Sequence, residues 1–301
     1  MNPRAGHPTY RISSADPSAT WVHLLLQAQT AAVVCTFDII LNYFRFVIHY
    51  FSPGKQSAGN QHRKEVQAMK ILFIGNSHTY FNDMPQLMAD MYQETTGITP
   101  EITMLAYSGR GLDWHNREYF SARFNLLYGH YDYCIIQQKA HPFPEREITM
   151  EQGERLIRLC QSVETTPVLY MTWAEKVKPE NQQAMIDVYT ELAKKTGAKL
   201  APVGLVWQNI QQEHPDIELY WEDGEHASPY GDYLAAATIC SALTQKSPLS
   251  LSSKGRDYLQ GQPLDFKAAH AIEDAEKVSV PLEETACATI RQTVHQILKI
   301  Q

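Results

Sequence analysis

A serine stands in Gly75-Asn76-Ser77-His78-Thr79, directly after a short apolar run, where its hydroxyl could be presented at the end of a strand. Far downstream, Trp221-Glu222-Asp223-Gly224-Glu225-His226-Ala227-Ser228-Pro229 sets an aspartate shortly before a histidine. A serine hydroxyl is a poor nucleophile at neutral pH and needs a base such as imidazole to take its proton. The base needs a fixed tautomer, which a carboxylate accepting from Nδ1 supplies while it stabilises the imidazolium formed during attack. Asp223 shares a loop with His226 and can do this without a separate loop. Ser77, His226 and Asp223 therefore have the types for nucleophilic acyl chemistry. Each also has a plainer reading. A serine after a strand serves as a turn or cap residue, and Asp223 and His226 before Pro229 make a capped helix entrance with a surface histidine.

These side chains can meet only if the chain folds residue 77 back against residue 226. From Met69 onward, strand-like and helix-period segments alternate, which predicts a parallel sheet covered on both faces. Lys70 to Gly75, Ile102 to Tyr107, Tyr131 to Gln137, Val168 to Trp173 and Lys199 to Val203 read as strands. Asn82 or Asp83 can cap a helix that Gly97 ends. Further helices are expected over Glu151 to Val163, Asn181 to Lys195, Pro229 to Leu243 and Glu283 to Leu298, with an irregular Ser247 to Val280. The expected fold class is α/β, a three-layer α/β/α sandwich whose five-stranded parallel sheet has the order 2-1-3-4-5. In such sheets the site lies outside the carboxyl ends of the strands, and Ser77 falls there.

The Ser77 turn and the Asp223/His226 loop resemble the first and last blocks of the SGNH/GDSL-type serine hydrolases, over Lys70 to about Leu243. Gly-Asn-Ser stands in place of the more usual Gly-Asp-Ser, as in a poorly characterised branch of that superfamily to which the chain is similar. The resemblance implies Ser77 as nucleophile, His226 as general base and then acid, and Asp223 as its orienting partner. It also implies a flavodoxin-like fold and chemistry with no metal and no cofactor. It places the second-block glycine at Ser108-Gly109, whose backbone N–H would join that of Ser77 in an oxyanion hole. Glycine does let backbone approach a ligand closely, although a plain turn with Arg110-Gly111 explains it equally.

The third block departs from the pattern. The superfamily usually has Gly-x-Asn-Asp after strand three, and the asparagine amide completes the oxyanion hole. Here the chain reads Gln137-Gln138-Lys139-Ala140-His141. An amide of Gln137 or Gln138 can donate the same hydrogen bond, with His141 a competitor, and losing such a donor costs about 2.7 to 4 kcal/mol. Four residues are candidates for touching substrate: His78, Trp114, His141 and Trp173. Simpler readings are local backbone satisfaction for His78, helix-start and packing roles for Asp113, Trp114 and His115, and core packing for Trp173 and Trp207. The run Arg146, Glu147, Glu151, Glu154, Arg155 reads as a solvated helix face.

The 301 residues are 44% hydrophobic and 20% charged, which excludes disordered and collagen-like chains. A net charge of -7, from 26 Lys+Arg against 33 Asp+Glu, argues against nucleic acid as a partner. Cys35, Cys134, Cys160, Cys240 and Cys287 lack zinc spacing and read as reduced, mostly buried thiols.

Residues 1–68 do not read like a domain. Trp21 to Phe51 is largely apolar, but Asp38 and Arg45 interrupt it, each at about 2.5 to 3.5 kcal/mol in a membrane centre. As a secretory signal the stretch starts late and lacks a small-residue cleavage site. Lys64-Glu65-Val66 can be encoded as AAG-GAG-GTN, a bacterial ribosome-binding sequence, with Gln67 and Ala68 as the spacer to Met69. The expectation is a hydrolase domain over 69–301 that starts at Met69 and is cytoplasmic, residues 1–68 being translated upstream sequence. The other reading is a genuine amphipathic or membrane-associated arm.

These expectations describe a metal-independent serine esterase acting on acyl esters, acetyl esters of carbohydrates among them, with a small-molecule or glycan substrate as its partner. Acyl transfer to a sugar hydroxyl would use the same residues. The missing third-block asparagine suggests instead a low-turnover carbohydrate-binding protein. A metal-dependent phosphodiesterase built from His78, His115, His141 and Asp223 lacks paired ligand spacing.

Overall fold

The computed structural model describes residues 68–256 and 279–300. The apolar stretch Trp21 to Phe51, Cys35, Lys64 to Gln67 and residues 257–278 of the irregular region lie outside them. One sheet holds β1 (Lys70–Gly75), β2 (Glu101–Ala106), β3 (Tyr133–Ile136), β4 (Thr166–Tyr170) and β5 (Lys199–Ala201), all parallel, in the order β2-β1-β3-β4-β5. A small antiparallel pair joins β6 (Lys254–Arg256) to β7 (Ser279–Pro281). The helices are α1 (Ser77–Tyr80), α2 (Met84–Thr96), α3 (Leu112–Arg117), α4 (Tyr119–Gly129), α5 (Arg146–Gln161), α6 (Asn181–Thr196), α7 (Val203–Glu213), α8 (Pro229–Thr244) and α9 (Glu284–Leu298). The chain has the three-layer, flavodoxin-like architecture with the strand order expected from its sequence.

Two cores flank the sheet because strand side chains alternate. Ile71 and Phe73 of β1 enter one core with Ile135 of β3, while Leu72 and Ile74 enter the other with Cys134 and Ile136. All are fully buried, and each large apolar side chain so placed contributes about 1.5 to 3 kcal/mol. Helices α2, α7, α8 and α9 close the first core, and α3 to α6 the second. Helix α8 packs against α2, α7 and α9, so it is buried continuously from Gly231 to Leu243 and is mostly apolar. Cys134, Cys160, Cys240 and Cys287 are buried free thiols. Among the described residues no helix is long and apolar enough to cross a membrane.

Some boundaries differ from the sequence reading, for physical reasons. Pro167 lies inside β4 rather than ahead of it; β5 pairs only from Val168 onward, so the missing N–H interrupts no ladder bond to β5. Neither Asn82 nor Asp83 caps α2 through its side chain. Both are left-handed, with φ of 47° and 57°. Their side chains serve elsewhere: Asn82 Nδ2 donates to Asp232 Oδ2 at 2.8 Å, and Arg256 donates to Asp83 Oδ2 at 3.3 Å.

Candidate active site

The Ser77 turn is assembled by hydrogen bonds to the end of β3. Gly75 must be glycine there, since a Cβ would stand 2.3 Å from Thr79 Oγ1 and 2.4 Å from Gln137 Oε1. Gln137 Oε1 accepts from the Asn76 N–H at 2.8 Å and from the Thr79 hydroxyl at 2.9 Å. Asn76 caps α1, its Oδ1 accepting from the His78 N–H at 3.0 Å. Its Nδ2 donates to the Arg110 carbonyl at 3.1 Å, which stitches the β1 turn to the turn after β2. Ser77 is thereby fixed at the carboxyl edge of the sheet, only 6% exposed.

The loop before α8 is held mainly by its own backbone. Trp221 N–H donates to the His226 carbonyl at 2.8 Å, next to a Tyr220–Ala227 bridge, and Gly224 turns at φ 71°. Asp223 Oδ1 accepts from the backbone N–H groups of Glu225 and His226, both at 2.9 Å. Its Oδ2 accepts from His226 Nδ1 at 2.6 Å. Burial alone would raise the Asp223 carboxyl, but the bonds from Glu225 and His226 outweigh it and hold the group below the usual carboxylate range. With Nδ1 so engaged, His226 Nε2 faces Ser77 Oγ at 2.8 Å, across 149 positions of sequence. Ser77, Asp223 and His226 thus converge in one hydrogen-bonded line.

Two rings lie parallel to that imidazole. Phe81 stacks on His226 with centroids 4.5 Å apart, and His78 does so at 4.8 Å. His78 points inward, between His226, His141 and Trp173, and burial together with the neighbouring imidazoles keeps it well below the ordinary histidine value. His141 Nε2 donates to the Trp173 carbonyl, 3.1 Å away, and burial lowers the pKa of His141 as well.

The other expected site residues divide. Gly109 adopts φ 67° and is open on its Cβ side, beside the Asn76–Arg110 bond. The glutamine amides take structural tasks rather than the expected oxyanion role. Gln137 Nε2 is spent on the Gln138 carbonyl and Gln138 Nε2 on Thr149 Oγ1, and both side chains are fully buried. Gln138 Oε1 meanwhile holds the N–H groups of Leu112 and Lys139. Trp173 is also no substrate wall: it is fully buried and stacks on Trp207 at 3.9 Å. The side chains of His78 and His141 are also enclosed, and His115 Nε2 donates to the Gly75 carbonyl at 2.8 Å. Trp114 packs with Tyr107 and lies 5.5 Å under the Arg110 guanidinium, at the turn bearing Gly109.

No family model matches the chain, nor does any curated protein. Among solved structures, a protein named as a candidate SGNH hydrolase from Slackia heliotrinireducens is 26% identical, covering 58% of this chain and 99% of its own, with a TM-score of 0.50. The fold is that of the SGNH hydrolases. A DUF4886 family protein from Bacteroides uniformis shares it at 17% identity and a TM-score of 0.56, over 77% of this chain and 95% of its own. So does LAE5, an alpha/beta hydrolase enzyme from the metagenome of Lake Arreo, at 15% identity and a TM-score of 0.50, over 58% of this chain and 95% of its own. Within this SGNH-type fold, sequence reasoning missed Phe81 and the Asn82–Asp232 bond. Their one sequence signal is a polar pair at the junction of two helices just after the serine.

Proposed function

We propose that the protein is a serine esterase that hydrolyses acyl esters through a covalent intermediate on Ser77. The reading is carried by the line Ser77 Oγ, His226 Nε2, His226 Nδ1, Asp223 Oδ2, with separations of 2.8 and 2.6 Å at its two hydrogen bonds. His226 takes the hydroxyl proton as Ser77 Oγ attacks the ester carbonyl, and Asp223 steadies the imidazolium. The backbone N–H groups of Ser77 and Gly109 serve the oxyanion, replacing the glutamine amides in that task. Collapse expels the alcohol, which leaves with the proton from His226. Water then gives a proton to His226, attacks the acyl-enzyme and releases the acid, and Ser77 regains its proton. No step asks for a metal. Acetyl esters of carbohydrates are the substrate class to test first.

The full chain should be labelled by a fluorophosphonate at Ser77 and should hydrolyse p-nitrophenyl acetate. Ser77→Ala should lose both. Undiminished turnover in Ser77→Ala protein would remove the mechanism.

A further inference from the structure

Phe81 and His78 flank the base from the nucleophile's own segment. Their planes make angles of 17° and 25° with the His226 ring, at 4.5 and 4.8 Å between centroids. Both residues are buried, at 2% and 5% exposure. From this geometry we infer that they form a π clamp, holding the plane of His226 toward Ser77 and stabilising the positive charge its ring acquires on taking the serine proton. The catalytic part of this inference rests on the esterase reading; the effect on the charge of His226 does not.

A cation over an aromatic face is attracted by the ring quadrupole, an effect worth about 2- to 30-fold in an equilibrium, most where water is excluded. Phe81 offers such a face at any pH. His78 offers one only while uncharged, and its surroundings ensure that. Its ring nitrogens are buried without a hydrogen-bond partner of ordinary geometry among the described residues, and the nearby Glu225 carbonyl is already taken by Trp173 Nε1 at 2.8 Å. His141 stands 4.8 Å away and Trp173 5.4 Å away. Other titratable groups also face His226. Asp223 and Glu225 come from its own loop, and His141 comes from the segment after β3. Glu175, after β4, lies behind His141 and is paired with Lys178. His141 lies against His78, so His78→Phe, which keeps a ring in that place, controls for this contact.

The test follows the His226 Cε1 proton by NMR against pH in the full chain, in wild type and in Phe81→Leu, His78→Leu and His78→Phe. Thermal melting of each variant checks its fold, and Phe81→Leu decides the matter if His78→Leu does not fold. The titration midpoint should fall by about half a pH unit in each leucine variant and stay within about 0.2 of wild type in His78→Phe. The acid limb of kcat/KM should move with it, with KM unchanged. Leucine variants that titrate like wild type, or a His78→Phe shift as large as that of His78→Leu, would overturn the clamp. A protein inert to fluorophosphonate would sink the esterase reading alone, since the titration is read without turnover.

Discussion

Asn82 donates its amide to the Asp232 carboxylate at 2.8 Å, tying the turn behind Ser77 to the first turn of the helix that follows His226. Both residues are buried. Asp232→Ala leaves the Asn82 amide without this acceptor and should lower stability by about 1 to 3 kcal/mol in urea unfolding. Asp232→Asn, which keeps an acceptor oxygen, should lose less. An Asp232→Ala midpoint equal to wild type would show that the tie carries no stability.

Gln137 makes a second, opposite prediction about where its effect appears. Gln137→Leu leaves the Asn76 N–H and the Thr79 hydroxyl without their shared acceptor, so unfolding free energy should drop by about 2 to 4 kcal/mol. An oxyanion donor would behave otherwise, losing kcat with stability intact. Measuring both on one preparation separates the two.

Asp223→Asn should lower kcat by about 10⁴ through the wrong imidazole tautomer, with little change in KM. The folded-state carboxyl lies below its ordinary value of 3.8, so its contribution to stability is present above that pH and is lost as pH falls through the folded-state value. The side chain is 40% exposed, which keeps that contribution small. Any stability gap between wild type and Asp223→Asn should close on acidification below pH 3.8 and should not widen.

His78 has a proton balance of the same sign, set in a higher pH range. Its folded-state value lies well below 6.5, so below pH 6.5 the unfolded chain binds a proton that the folded chain refuses. Stability is therefore intact above pH 6.5 and declines below it. His78→Phe should flatten the slope of unfolding free energy between pH 6.5 and about 5, leaving the slope that His141 and His115 supply. Identical slopes would mean that His78 carries its proton when folded.

The sheet is legible in the sequence because β1 and β3 are apolar on both faces, a pattern that only a strand covered by helices on each side satisfies. Ser77, Asp223 and His226 are legible because each belongs to a short motif whose residue types have one joint chemistry. Gln137 and Gln138 are visible but misleading: their amides suit an oxyanion hole, and only the folded chain shows both Nε2 groups spent within the core. The rings against His226 are hidden for a different reason. Phe81 is followed by two consecutive left-handed residues without glycine, and local rules assign Asn82 and Asp83 to helix capping. The partner that occupies Asn82 lies 150 positions away, beyond any local pattern.

Trp173 lies flat on Trp207, 3.9 Å and 5° apart, and donates its Nε1–H to the carbonyl of Glu225, the residue before the base. Close, parallel indoles couple their excited states, so this pair supplies an intrinsic optical signal wired to the segment that carries His226. A displacement of that segment would break the indole's hydrogen bond and alter near-ultraviolet dichroism and emission. Any ligand that moves that segment can then be followed in real time without attaching a dye.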